Sequence, residues 1–96
     1  MKPNNVRSPK DHWQLIDVLF DGGPDGFSLA LGEWDHERVL AIRWNGAEGE
    51  LGSPQSRGLP IWFILPDVLR AAVLTLVPPE KRTLAEALLL TTQSAA

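Results

Sequence analysis

The chain contains no cysteine, and this absence excludes several kinds of chemistry. Disulfide bonds, thiolate nucleophiles and cysteine-based metal sites all need the missing side chain. Nothing in the composition indicates an oxidising compartment, so we expect the protein to act in the cytoplasm. The polar stretch before Trp13 supports this expectation, because a secretory signal peptide needs an apolar segment there.

Long apolar runs and an excess of positive charge are also missing. No apolar segment approaches the roughly 20 residues that a membrane-spanning helix needs. Lysine and arginine number 9 against 12 aspartates and glutamates, which gives a net charge of −3. Proteins that bind nucleic acid or anionic membranes without sequence preference normally carry a basic patch. The composition therefore argues against both kinds of partner.

What is present is ordinary globular composition, in a chain of 96 residues with 44% hydrophobic and 22% charged residues. A chain of this length forms one domain with one modest core. Residues 1–11 contain two prolines and show no periodicity, which is typical of a flexible arm. We therefore expect an N-terminal arm over residues 1–11 and a single domain over residues 12–96.

Apolar patterns bounded by turn residues predict four strands, at residues 13–20, 27–34, 39–44 and 60–65. Two helices follow in the prediction, at about 67–77 and 84–92. The first would be capped by Asp67, and the second follows the capping-box sequence at 83–86. This order predicts an α+β fold, an antiparallel β-meander of about four strands with two C-terminal helices packed on one face.

The second and third strands divide into two faces when Trp34 lies opposite Val39 and Leu31 opposite Ile42. One face is apolar and includes Trp44, so we expect it to contact the helices. The other face carries mostly small side chains: Ser28, Ala30, Gly32, Trp34, Val39, Ala41 and Arg43.

Two short helices cannot cover both faces of a four-stranded sheet, so the second face is expected to be open. An open face of this kind usually marks an interface, and a symmetric homodimer is the commonest solution. The leading hypothesis is a small binding or protein-interaction module, homodimeric through this face, with Trp34 and Arg43 at the interface. The alternative is that the N-terminal arm and the long loop fold over the face.

The loop at residues 52–58 is the second candidate site. Its glycines permit close backbone approach, its serines can donate hydrogen bonds, and Arg57 can bind an anion with two parallel bonds. Gln55, Ser56 and Arg57 are therefore predicted to bind another protein or a small anionic ligand. The loop is not a P-loop, because no lysine followed by serine or threonine completes it. The structural alternative is that Gln55 and Arg57 only satisfy buried carbonyls.

Catalytic and metal-binding signatures are weak. The two loop serines lack the strand-turn-helix context of a nucleophile elbow, so no catalytic residue is predicted. His36 lies in a tight turn whose side chains splay apart, and His12 lies beside the arm, so we expect no metal and no cofactor.

Asp17 interrupts an apolar strand, and if it is buried it becomes a candidate acid. An alternative function is therefore an enzyme that binds a small molecule or anion with Asp17 and the loop residues Gln55, Ser56 and Arg57. This enzyme hypothesis needs all four side chains in one pocket.

Four tryptophans without any tyrosine make an unusual aromatic set. Together with Arg38, Arg43 and Arg57 they could stack on bases, as in proteins that bind single-stranded nucleic acid. The acidic balance speaks against this second alternative. Core packing on predicted strands explains three of the rings, those of Trp34, Trp44 and Trp62.

Three strings carry a resemblance: RWNG at 43–46, SPQSRG at 53–58 and PIWF at 60–63. Over residues 13–66 the chain resembles small uncharacterised bacterial proteins, including those that mobile gene cassettes encode. The resemblance implies a bacterial origin. Such proteins have no assigned activity, so no site residue follows from it.

Overall fold

The computed structural model describes the backbone of residues 1–95 and the side chains of residues 1–89, so Ala96 of the predicted domain lies outside the described residues. The main antiparallel sheet has the order β1-β2-β3-β6, with β1 at Trp13–Asp21, β2 at Phe27–Trp34, β3 at Glu37–Trp44 and β6 at Phe63–Ile64. A small hairpin pairs β4, Gln55–Ser56, with β5, Leu59–Pro60. Helix α1 spans Arg70–Leu74 and helix α2 spans Pro79–Ala95. The predicted α+β fold is confirmed.

A tight turn at Asp35 and His36 joins β2 to β3. Both residues have positive φ angles, 49° and 71°, as a two-residue type I′ hairpin turn requires. Trp34 therefore lies opposite Glu37, and the predicted pairing of Trp34 with Val39 is wrong by two residues. Because side chains alternate with a period of two along a strand, this shift leaves every side chain on its predicted face.

The first core lies between the sheet and the helices. Leu29, Leu31 and Leu40 project from β2 and β3 and are almost completely buried. They form one cluster with residues of the helical region, namely Leu74, Val77, Ala85 and Leu89. The predicted packing of the helices on one sheet face is confirmed.

The second face of the sheet is covered, so the prediction of an open face is wrong. Ala30 and Ala41 are completely buried on this face. They belong to a second cluster that includes four residues from the arm, β1 and the long loop: Val6, Trp13, Leu15 and Trp62. The alternative, in which the arm and the long loop fold over this face, is the arrangement in the structure.

The arm is held against this face rather than free. The indole nitrogen of Trp62 donates a buried hydrogen bond of 2.8 Å to the carbonyl oxygen of Val6. The Val6 residue is completely buried. A short 3₁₀ turn, Pro3–Asn5, precedes Val6. The apolar contacts of Val6 thus extend the second core into the predicted arm.

Small residues on the second face make room for the indole rings. A Cβ atom on Gly32 would lie 2.2 Å from the six-membered ring of Trp13, which is closer than two carbon atoms can approach. Trp13 therefore lies directly on Gly32. Tryptophan and glycine together fill the space that two medium-sized side chains would otherwise occupy.

Arg43 is buried beneath the loop that follows β3, with 1% of its surface exposed. Its Nη1 donates to the carbonyl oxygen of Ile61 at 3.0 Å, and its Nη2 donates to that of Leu51. Burial lowers the pKa of the Arg43 guanidinium. The prediction that Arg43 lies on an open face is wrong, because its side chain ties the covering loop to the sheet.

Gly52 is part of the same arrangement. Its φ angle is +69°, and a Cβ atom there would lie 2.7 Å from Arg43 Nη2. Glycine alone permits both the left-handed backbone and the close approach to the guanidinium.

The predicted strand at 60–65 is divided in the structure. The backbone N–H of Ile61 bonds to the carbonyl oxygen of Pro54, and its own carbonyl accepts from Arg43. These bonds take Ile61 out of the ladder, so only Phe63–Ile64 pairs with β3.

The helix boundaries also differ from prediction. Helix α1 is short, and Asp67 forms an ion pair with Arg70 at 2.9 Å without capping the helix. Pro79 begins α2, because a proline at the first helical position has no N–H that needs a partner. No helix in the described part of the chain combines the length and hydrophobicity needed to cross a membrane.

Gly32→Ala should destabilise the protein by about 1–3 kcal/mol, because the new methyl group collides with the Trp13 ring. Urea denaturation followed by tryptophan fluorescence measures the change. In a Trp13→Phe background the same substitution should cost less, since the ring that it strikes is smaller. Equal losses in both backgrounds would show that Trp13 does not lie on Gly32.

Arg43→Met should lower the free energy of unfolding by about 2–3 kcal/mol, because two carbonyl groups lose a charged hydrogen-bond donor. The exposed Arg7 provides a matched control, and Arg7→Met should change stability by less than about 0.5 kcal/mol. A stability for Arg43→Met equal to that of the Arg7 variant would contradict the assigned role of Arg43.

Candidate functional site

A cleft of about 580 Å³ opens where the arm, the end of β2 and the β4–β5 hairpin meet. Binding pockets for small molecules commonly have volumes of about 300–1,000 Å³. The walls come from three parts of the chain. The first is the end of the arm and the start of β1, the second is the end of β2, and the third is the segment that follows β3. The lining residues are, in this order, Ser8, Pro9, His12 and Trp13; Trp34; and Ser56, Arg57, Leu59, Ile61, Trp62 and Ile64. We call this site the aromatic cleft.

Four aromatic rings line the aromatic cleft. The rings of Trp13 and Trp62 are buried and tilted against each other, with their centroids 6.2 Å apart. The imidazole of His12 stacks on the Trp34 indole at 5.3 Å, with an angle of 25° between the ring planes. Because Trp13 and Trp62 are buried, the stacked pair of His12 and Trp34 provides the planar surface on which another ring can stack.

Arg57 stands at the rim of the cleft. Together with Gly58 it forms the turn between β4 and β5, with φ angles of 52° and 77°. Asparagine and glycine are the usual residues of this turn type, and a bulky residue with positive φ is uncommon. The Arg57 side chain is exposed and forms no hydrogen bond or ion pair within the part of the chain that the structure describes. Its guanidinium is therefore available to an anion.

His12 is a second basic group of the cleft. Its Nδ1 lies 2.7 Å from Oδ1 of Asp35 in the β2–β3 turn. The hydrogen bond to Asp35, with the charge of that carboxylate, raises the pKa of His12 above its ordinary value of 6.5. Below that raised pKa, both His12 and Arg57 carry positive charge.

The structure brings together three of the predicted binding residues and separates the others. Trp34, Ser56 and Arg57 line the aromatic cleft. Gln55 does not line it, and its side-chain amide donates to the carbonyl oxygen of Gly52 at 2.8 Å. That bond is exposed, so Gln55 does not satisfy a buried carbonyl as the structural alternative predicted. Arg43 is buried beneath the loop and does not line the aromatic cleft.

Asp17 is partly exposed, so the hypothesis of a buried acid is wrong. Its side chain retains 33% exposure and lies 3.4 Å from the Lys81 ammonium of α2. The pairing of β1 with β2 is irregular between Leu15 and Asp17, which takes Asp17 out of strict alternation. Asp17 is not part of the aromatic cleft, and the pocket that the enzyme hypothesis requires does not form.

Sequence reasoning missed three of the four rings that line the cleft. The sequence suggests His12 only as a metal ligand and Trp62 only as a core residue, and it indicates no separate role for Trp13. Trp13 and Trp62 are far apart in the sequence and share no local pattern. Their proximity results from tertiary packing alone.

The described residues contain no group of three histidine, cysteine, aspartate or glutamate side chains that could hold a metal ion. No family model, curated protein or solved structure matches this chain. The resemblance to proteins of mobile gene cassettes stays a prediction. The chemistry of the cleft itself is therefore the guide to function.

An apolar surface lies on the helix-covered side of the sheet, where β3 ends. Trp44, Phe63 and Leu76 each expose more than half of their surface, at 58%, 56% and 55%. They line a groove of about 430 Å³ together with residues of the first core. The prediction that Trp44 is buried is wrong, because α1 begins beside the opposite end of β3, where Arg70 donates to the carbonyl oxygen of Arg38.

The His12–Asp35 contact predicts a measurable pH dependence. An NMR titration of the imidazole should give a pKa above 6.5, and Asp35→Asn should lower it because the hydrogen bond and the charge are both lost. Asp11→Asn is the control, since Asp11 acts on His12 only weakly through its charge. A larger shift from Asp11→Asn than from Asp35→Asn would contradict the geometry.

The same contact links stability to pH. The folded protein binds the His12 proton more tightly than the unfolded chain does, so the contribution is complete below about pH 6.5 and disappears as the pH rises through the folded-state pKa. Asp35→Asn should remove this dependence. His12 is exposed, so the effect on stability should be small.

Proposed function

We propose that this protein is a small cytoplasmic binding module that holds a small organic molecule in the aromatic cleft. One observation carries the proposal: a single cleft of suitable volume is lined by three tryptophans and by a guanidinium that has no partner in the described part of the chain. Binding sites for small molecules are typically lined by apolar and aromatic side chains, with a few polar groups that orient the ligand. The lack of cysteine supports the cytoplasmic location.

An enzymatic function receives less support. A serine nucleophile needs a base within hydrogen-bond reach. The hydroxyl group of Ser56 forms no hydrogen bond among the described residues, and Asp17 lies outside the cleft. The cleft therefore offers groups that recognise a ligand and no assembled group that activates one.

Binding of single-stranded nucleic acid is also less well supported. Such proteins follow the phosphate backbone with several cations. Arg43 is buried, and Arg38 contacts Glu33 at 3.6 Å and the carbonyl oxygen of Leu88 at 3.0 Å. Of the three arginines in the hypothesis, Arg57 alone has no partner among the residues that the structure describes.

A fragment library screened by protein-observed NMR tests the proposal. We expect ligands whose chemical-shift changes concentrate on the indole N–H groups of Trp13, Trp34 and Trp62 and on the amide of Arg57. Ser56→Trp should fill the cleft and abolish these changes. Gln55→Trp is the matched control, because the neighbouring residue on the same strand points to the other side.

Two outcomes would contradict the proposal. The first is a screen in which no fragment shifts the cleft signals. The second is a Ser56→Trp protein that binds the fragments as tightly as the Gln55→Trp protein does.

We also propose that two copies associate through the apolar surface around Trp44, Phe63 and Leu76. The predicted homodimer interface at Trp34 and Arg43 has lost its basis, because the second face is covered. Three large side chains exposed side by side around a groove support this other surface. We propose that a second copy of the chain binds this surface, because each copy supplies both a groove and exposed rings. A two-fold axis would place the same surface of both copies in contact.

Light scattering over a concentration series tests this association. Leu76→Ser should weaken the dimer about tenfold, because a large apolar side chain would be lost from its centre. Leu84→Ser is the control, since Leu84 is similarly exposed, at 46%, but lies outside this surface. A wild-type protein that stays monomeric at the highest concentration would contradict the dimer.

A further inference from the structure

We infer that the aromatic cleft is specific for a flat aromatic acid, whose anionic group binds Arg57 and whose ring stacks within the cleft. This inference rests on the proposed binding function and adds the chemical class of the ligand. Three properties of the cleft carry it: the sign of its charge, the state of its arginine and the shape of its walls.

The charge of the cleft selects an anion. Among the described residues, its lining contains two basic side chains, His12 and Arg57, and no carboxylate. The neighbouring Asp35 is already engaged, since its Oδ1 accepts from the His12 imidazole at 2.7 Å. Clusters of tryptophan often hold quaternary ammonium groups through cation–π contacts. The guanidinium of Arg57 at this rim would repel such a ligand, whereas the His12–Asp35 pair adds no net positive charge.

The guanidinium of Arg57 is suited to a carboxylate, phosphate or sulfonate, because it presents parallel N–H donors in a planar fork. It has no partner in the described part of the chain, so binding an anion breaks no existing interaction. The backbone of Arg57 is held in the left-handed region at the tip of the hairpin, with a φ angle of 52°. Unfavourable backbone conformations of this kind are concentrated at binding sites.

The walls of the cleft select a flat ring. His12 and Trp34, which are less buried than Trp13 and Trp62, form a nearly parallel stack that provides a planar surface for a ligand ring. Aromatic rings gain from offset or edge-on contacts beyond the burial of apolar area alone. The carboxylate of an aliphatic acid could also bind Arg57, but its chain would form no ring contacts, so it should bind less tightly than an aromatic acid.

Four probes separate the contributions of charge and shape. These are 2-naphthoate, 2-naphthyl phosphate, 2-naphthalenemethanol and decanoate, titrated at constant ionic strength by calorimetry and followed by NMR. We expect the two naphthyl anions to bind about tenfold more tightly than the neutral alcohol, a difference that one charged hydrogen-bonded contact can supply. Decanoate should also bind more weakly than 2-naphthoate. The relative affinities of the carboxylate and the phosphate show which anionic group fits better.

Arg57→Asn tests the anchoring group without straining the turn, because asparagine tolerates a positive φ angle. This variant should bind 2-naphthoate about tenfold more weakly and 2-naphthalenemethanol unchanged. Arg7→Asn removes the same charge outside the cleft and should leave both affinities as they are. An affinity of Arg57→Asn for 2-naphthoate equal to that of the Arg7 variant would overturn the inference.

The outcomes distinguish the ligand class from the proposed function. If 2-naphthalenemethanol binds in the cleft as tightly as 2-naphthoate, the inferred class is wrong and the binding function stands. If decanoate binds as tightly as 2-naphthoate, the aromatic part of the inference is wrong. If none of the four probes binds, the inference fails, and the binding function is decided by the fragment screen alone.

Discussion

The two hydrogen bonds that Arg43 donates beneath the long loop are the constraint on which the covered sheet face depends. They fix the carbonyl groups of Leu51 and Ile61, at the two ends of a loop with little regular structure. A guanidinium buried without a carboxylate partner is unfavourable, and these bonds offset part of that cost. Because the loop is held, Trp62 reaches over the sheet and bonds to Val6, which in turn holds the arm.

The candidate site is a consequence of the same arrangement. Covering the second face brings the arm, the end of β2 and the β4–β5 hairpin to one place, and the aromatic cleft opens where they meet. Its floor is buried and closely packed, since Trp13 lies on Gly32 and contacts Trp62. Its rim carries Arg57 on a tight turn. A packed floor with an available cation at the rim is a combination suited to recognising one kind of small molecule.

Local patterns predicted the parts of the fold that local physics determines. The bounds of β2 and the division of β2 and β3 into two faces follow from strand periodicity. The register error does not change the faces, because a shift of two residues keeps each side chain on the same side of the sheet. The covered face was not predictable in this way, because its cover consists of irregular segments that have no period. The predicted second helix begins too late, at about residue 84, because Pro79 takes the first helical position in place of the predicted capping box. Trp34, Ser56 and Arg57 were identified by unusual local chemistry, while Trp13 and Trp62 join them only through tertiary contacts.

The most direct test of this account is an NMR measurement of the Trp62 indole N–H. The account predicts nuclear Overhauser contacts between this indole and the Val6 side chain, and slow exchange of the indole proton with solvent, because its hydrogen bond to the Val6 carbonyl is buried. Rapid exchange together with an absence of contacts to Val6 would show that the second face is open, and the aromatic cleft would then not exist as described.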